Sequence, residues 1–178
     1  RLQEMGSLGV KSIMYAGEGE PLLHKKINDI VRATYDAGID ISFTTNGTHM
    51  DKAFIESSLP LVQWIKLSVN AGTSATYADI HQTKERDFNK VIDNITQATQ
   101  YKRENDLNCT IGVQTLLLPE NVNEIEELAQ LCRDKLGVDY LVVKPYSHVA
   151  MSNNKKYSTI DYSPYENIGE RLAQWNTD

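Results

Sequence analysis

Residues 15 to 24 read YAGEGEPLLH: two glycines alternate with two carboxylates, and a proline closes the run. Without a Cβ, Gly17 and Gly19 let the backbone turn sharply and approach a ligand closely. Pro21 stiffens the exit before a helix that begins near His24. Carbonyls exposed by such a turn are good acceptors for an ammonium group. Glu18 and Glu20 could bind a cation, pair with a lysine, or act as acid and base, and a merely acidic βα loop would read the same way. Two further stretches have matching chemistry. TTNGT (44–48) places Thr44 and Asn46 beside an Asn-Gly turn. KLSVNAGTSATYADIH (66–81) places Ser68 and Asn70 one pleat apart before a loop of small residues. Two short hydrogen-bonding side chains at that spacing suit a ribose diol, or they are polar residues that simply end a strand.

Each stretch follows a run that reads as a β-strand. KSIMYAG (11–17), IDISFTTN (39–46), VQWIKLSVN (62–70), CTIGVQTLL (109–117) and VDYLVVKP (138–145) are short and rich in β-formers. Helical periods lie between them. Ile27, Ile30, Val31 and Tyr35 precede Gly38; Phe88, Val91, Ile92 and Ile95 follow Asp87; Val122, Ile125, Leu128, Ala129, Cys132 and Leu136 precede Gly137. Residues 51–58 read as a shorter helix ended near Pro60. RLQEMGSLG reads as the last turns of a helix, and YENIGERLAQWNTD as a helix that stops with the chain. The alternation predicts right-handed βαβ units in a parallel sheet or an open, truncated barrel, because five strands are too few for a complete eight-stranded one.

The strands differ between their two faces. Ile65, Leu67 and Val69 oppose Lys66, Ser68 and Asn70; Ile39, Ile41 and Phe43 oppose Asp40, Ser42, Thr44 and Asn46; Cys109, Ile111 and Val113 oppose Thr110, Gly112 and Gln114. A parallel sheet covered on both sides would be apolar on both. One face is therefore expected to meet helices, and the other to line a wet or ligand-filled space or to face solvent. The 178 residues and 40% hydrophobic content suit one core and a single domain, 1–178. A net charge of −6 without long like-charge runs indicates neither nucleic acid nor membrane as partner, and a small molecule is expected. The two cysteines, Cys109 and Cys132, form neither a disulfide framework nor a zinc pattern, so a reduced, cytoplasmic setting is expected.

Taken together, these stretches resemble the radical S-adenosylmethionine (SAM) superfamily. GEGEPLLH is similar to its Gly-Gly-Glu-Pro motif, with Glu18 where glycine is common; TTNGT, KLSVNAGTSATYADIH and VVKPYS (142–147) follow in the family's order. The resemblance spans roughly residues 10–148. It implies an α/β fold, a partial (β/α)6-type open TIM barrel, here truncated to about five parallel strands with flanking helices. It further implies a [4Fe–4S] cluster and SAM, cleaved reductively to a 5′-deoxyadenosyl radical that abstracts hydrogen from a substrate the sequence does not name. A reductant such as flavodoxin or ferredoxin would serve the parent enzyme. By position, Gly17, Glu18, Gly19 and Glu20 would receive the methionine amino group, Ser68 and Asn70 the ribose, while Thr44 and Asn46 line the cavity. Gln114, Val143, Lys144 and Tyr146 would lie near the adenine.

The family's Cys-x3-Cys-x2-Cys loop is absent, and it is expected upstream of this chain, which alone would be inactive. No residue here is expected to ligate metal, and Cys109 and Cys132 read as buried small hydrophobes. Rival readings are a metal-dependent barrel hydrolase or isomerase using His24, His49, His81 or His148, a Schiff-base aldolase using Lys66 or Lys144, and an α/β binding module without a cluster. Residues 149–166, with three tyrosines and Pro164, break the rhythm as a loop insertion after the last strand and read as a substrate-facing lid or a surface loop.

Overall fold

The computed structural model describes residues 1–17, 19–147 and 156–177. Five strands, β1 (Ser12–Tyr15), β2 (Asp40–Thr45), β3 (Trp64–Ser68), β4 (Thr110–Leu117) and β5 (Tyr140–Pro145), pair in parallel in sequence order. Among the described residues β1 and β5 each pair on one side, so the sheet is open. Among the described residues seven α-helices accompany them: α1 (Leu2–Ser7), α2 (Ile27–Asp36), α3 (Lys52–Ser57), α4 (Ser74–His81), α5 (Glu85–Glu104), α6 (Ile125–Leu131) and α7 (Ile168–Ala173).

Parallel register turns the alternation of each strand into two distinct faces. Phe43 aligns with Ile65 and Ile65 with Ile111, and all three are fully buried beneath the helices. Val31 of α2, Phe54 of α3 and Val91, Ile92, Ile95 and Ala98 of α5 complete this core. The opposite, concave face carries Thr44 aligned with Lys66, Lys66 with Gly112 and Gly112 with Tyr140. It is wet: Lys66, Ser68 and Gln114 are half-buried and Met14 is 55% exposed. Helices cover one side only, as the polarity of the strands requires.

Local chemistry sets the boundaries. Asp51 caps α3 by accepting from Phe54 N at 2.9 Å, and Thr73 caps α4 by accepting from Thr76 N at 3.3 Å. The small-residue stretch after β3 is thus partly helical, where the sequence suggests a loop. Only Tyr77 of α4 is buried, so no apolar stripe announces it. The period from Val122 to Leu136 is divided into a 3-10 turn (Val122–Glu124), α6 and a π-turn (Cys132–Leu136) that exits through Gly137 at φ +59°. The carboxyl-terminal helix is short, and Ile168 and Leu172 pack on Leu117, Val122 and Ile125. Residues 149–155 of the expected insertion lie outside the described residues. Its later part is anchored: Tyr162 Oη accepts from Tyr146 N at 2.7 Å and donates to Leu117 O at 3.1 Å, while Tyr157 Oη donates to Glu120 Oε1 at 3.0 Å.

Candidate cofactor site at the strand ends

The turn after β1 is held by its own glutamate. Glu20 Oε1 accepts from Leu22 N at 3.0 Å and Thr45 Oγ1 at 2.5 Å, and Oε2 accepts from Asn46 N at 2.7 Å. One carboxylate therefore caps the turn Pro21–Leu23 and ties it to the end of β2. Acid–base or cation-binding work would require giving up these bonds, so the side chain of Glu20 positions the loop. Thr45 Oγ1 in turn accepts from Gly47 N at 3.0 Å, and Asn46 Oδ1 from Thr48 N at 2.9 Å, which fixes the second loop.

Between these loops lies an open cavity of roughly 330 Å³, lined by Gly17, Gly19, Glu20, Thr44, Asn46 and Ser68. Three adjacent strand ends thus converge on one space at the carboxyl edge, where parallel α/β folds bind ligands. Gly17 adopts φ +139°, a conformation few other residues reach, and a Cβ built on Gly17 or Gly19 meets nothing within 4 Å. The glycines leave a bare backbone cradle of the kind an ammonium and carboxylate group can enter. Glu18 lies outside the described residues.

The remaining sequence candidates are placed differently. Asn70 sits at φ +58° with Oδ1 accepting from Leu116 N at 2.8 Å, so its side chain reaches across to β4. Gln114 is aligned with Ser68 on the concave face, and Val142 and Lys144 face the same way. Val143 alternates to the other side and packs with Leu117, Val122 and Ile125, away from the concave face. Tyr146 lies 5.4 Å from the Tyr157 ring and is held by Tyr162.

Two positioning residues escaped the sequence reading. Asn121, fully buried, donates to Asn70 O at 2.8 Å and Leu116 O at 2.7 Å, and accepts from Leu118 N at 2.9 Å. Glu124 accepts from Gly72 N at 3.1 Å, Thr73 N at 3.2 Å, Thr73 Oγ1 at 3.0 Å and Thr76 Oγ1 at 2.5 Å. Together they bind the loop after β3 to the one after β4. A lone Asn and Glu in an amphipathic stretch carry no local signal of such long-range bonds.

Cys109 and Cys132 are 3% and 4% exposed, and burial pushes both thiols up to about 12. Neither suits a thiolate ligand, and among the described residues no group of three or more His, Cys, Asp or Glu could hold a metal ion. His81 belongs to α4 rather than a loop; its Nε2 donates to Val69 O at 3.0 Å, and burial lowers its pKa against that bond. No helix among the described residues is long and apolar enough to cross a membrane.

This arrangement has known counterparts. The sequence model of the radical SAM superfamily matches residues 1–132. The chain belongs to the radical SAM superfamily. GTP 3′,8-cyclase of Chlorobaculum tepidum is 28% identical over 177 residues, covering 95% of this chain and 48% of that protein. The tungsten-containing aldehyde ferredoxin oxidoreductase cofactor-modifying protein of Pyrococcus furiosus is 26% identical over 173 residues, 92% of this chain and 47% of that protein. The chain therefore spans about half the length of these curated relatives. Among solved structures, Streptococcus suis SuiB bound to S-adenosylmethionine superimposes with TM-score 0.69 at 19% identity, covering 98% of this chain and 37% of that one. That likeness concerns the fold, an open parallel α/β sheet with helices on one side.

Proposed function

We propose that this chain is the SAM-binding core of a radical SAM enzyme. The observation that carries the reading is the convergence of Gly17, Gly19, Glu20, Thr44, Asn46 and Ser68 on one open cavity at the ends of β1, β2 and β3. The backbone at Gly17 and Gly19 receives the methionine ammonium, with Glu20 holding the loop through Thr45 and Asn46. Ser68 offers its hydroxyl to the ribose. Asn70 supports it from behind, its side chain being committed to Leu116 N. Gln114, Tyr146 and the inward-facing Lys144 bound the adenine side, and Thr44 and Asn46 form the far wall. A [4Fe–4S] cluster held outside these residues would supply, when reduced, the electron for reductive cleavage of SAM and so the radical chemistry of hydrogen abstraction.

The cysteines of this chain do not fit such a cluster, being buried with raised pKa values. In this reading the ligands are a Cys-x3-Cys-x2-Cys loop outside these residues, and the electron comes from a small donor such as a flavodoxin or ferredoxin. The test is anaerobic reconstitution of the full-length protein with iron and sulfide, then SAM and dithionite, with 5′-deoxyadenosine followed by mass spectrometry. Formation of 5′-deoxyadenosine supports the proposal. An assembled cluster that leaves SAM intact overturns it, and a full-length protein with no cysteine triad favours the binding-module reading.

A further inference from the structure

A second cavity opens on the concave face below Ser68. It measures roughly 560 Å³ and is walled by Trp64, Lys66, Thr110, Tyr140, Val142 and Lys144. Register explains its shape. Lys66 aligns with Gly112 and Gly112 with Tyr140, and a Cβ on Gly112 would come within 2.1 Å of the Tyr140 ring. The missing side chain lets that ring lie across β4 and form an aromatic floor. Trp64, one pleat before Lys66, places its ring centroid 5.7 Å from the Lys66 ammonium. Lys144 enters from the adjoining strand, four residues beyond Tyr140 on the same face.

Among the described residues that line this space, the charged ones, Lys66 and Lys144, are both cations. Lys102 is paired with Asp139, Arg133 with Asp134 and Arg171 with Glu126. Among the described residues no carboxylate lies within 4.0 Å of Lys66 or Lys144. Partial burial, and then the positive charge of Lys144, lower the pKa of Lys66. Two cations that repel each other beside aromatic walls are stabilised by an anion that satisfies both. Lys66 also lies two residues before Ser68 on one strand face, about 7 Å along β3, so an occupant would adjoin the cofactor cavity.

We propose that this cavity binds an oxyanion group of the substrate, phosphate or carboxylate, clamped by Lys66 and Lys144 with its attached planar moiety against Tyr140 and Trp64. The assignment as substrate rests on reading the neighbouring cavity as the SAM site; the anion chemistry does not. The test is calorimetric titration of the full-length protein with phenyl phosphate, benzoate and neutral benzyl alcohol, with SAM titrated in parallel. The anions are expected to bind saturably and about tenfold or more tighter than the alcohol, with the tighter anion identifying phosphate or carboxylate as the natural group. Lys66→Met and Lys144→Met should each weaken them by about tenfold, while Lys66→Arg and Lys144→Arg retain binding and SAM affinity holds in both Lys66 variants. Equal binding of the alcohol, or Met variants that bind SAM and the anions undiminished, would overturn the proposal. Anion binding without SAM binding would leave this site standing and remove the cofactor reading.

Discussion

Replacing Glu20 by alanine separates two loops in a single step. The carboxylate accepts three hydrogen bonds, from Leu22 N, Thr45 Oγ1 and Asn46 N, the shortest of them at 2.5 Å. Bonds to a charged acceptor are each worth about 1.5–3 kcal/mol, which would suggest a larger sum than is expected here. Water can reach Asn46 N through the adjoining cavity, whereas Leu22 N and the Thr45 hydroxyl belong to residues only 6% and 3% exposed, and the chain can relax around the missing carboxylate. The net loss should therefore be about 3 kcal/mol. For a chain of this size that lowers Tm by about 6–12 °C. Glu20→Gln, which keeps one acceptor oxygen, should lose about half as much. A double-mutant cycle with Thr45→Val should return a coupling of about 1–2 kcal/mol, because that bond is the least replaceable. In titrations below Tm, Glu20→Ala should also weaken SAM by tenfold or more, the loop being free to leave the cavity. A folded Glu20→Ala protein with unchanged SAM affinity would refute the positioning role.

Other perturbations follow from the same geometry. Asn121→Ala leaves the Leu118 amide and the Asn70 carbonyl without their side-chain partner, removes the shorter bond to the Leu116 carbonyl, and should cost about 3 kcal/mol by chemical denaturation, whereas a surface Asn such as Asn105 should cost under about 0.5 kcal/mol. Gly112→Ala forces its methyl into the Tyr140 ring and should cost about 1–3 kcal/mol; Gly112→Ala combined with Tyr140→Ala should recover most of the steric part, as read by urea midpoints. His81 has a lowered pKa in the folded state, so its contribution is complete above the unfolded value of about 6.5 and declines as pH falls below it. The loss of stability between pH 7 and pH 5 should thus be smaller for His81→Gln than for the unaltered protein. Cys109 and Cys132, buried with thiols pushed up to about 12, should resist a thiol-labelling reagent until denaturant is added.

Much of this site could be read from the residues because the information was local. Alternation fixes the faces of β2 and β3, so Thr44 and Ser68 are placed on the concave side by period alone. Gly17 and Gly19 announce a turn by lacking a Cβ. What the sequence hides is long-range. Nothing near Glu124 in the chain shows that it holds Gly72, Thr73 and Thr76 some fifty residues away. Asn70, read as facing a ribose, turns to Leu116 because it takes a left-handed conformation just beyond β3. Val143 faces the helices because β5 begins its alternation at Tyr140, a phase that a nearly continuous apolar run such as YLVV does not reveal. Helix α4 escapes for the opposite reason, having too little apolar surface to show a period.

The central claim is that the glycine cradle between β1 and β3 is where SAM binds, and Gly19→Leu tests it most directly. Gly19 lines the cavity and a Cβ there meets nothing within 4 Å, so the substitution adds bulk at the cavity wall without displacing core atoms at that point. Calorimetric titration of SAM into the full-length protein should give saturable one-to-one binding, abolished in Gly19→Leu while Tm stays within about 2 °C of the original. Undiminished SAM binding by a stably folded Gly19→Leu protein would contradict the account.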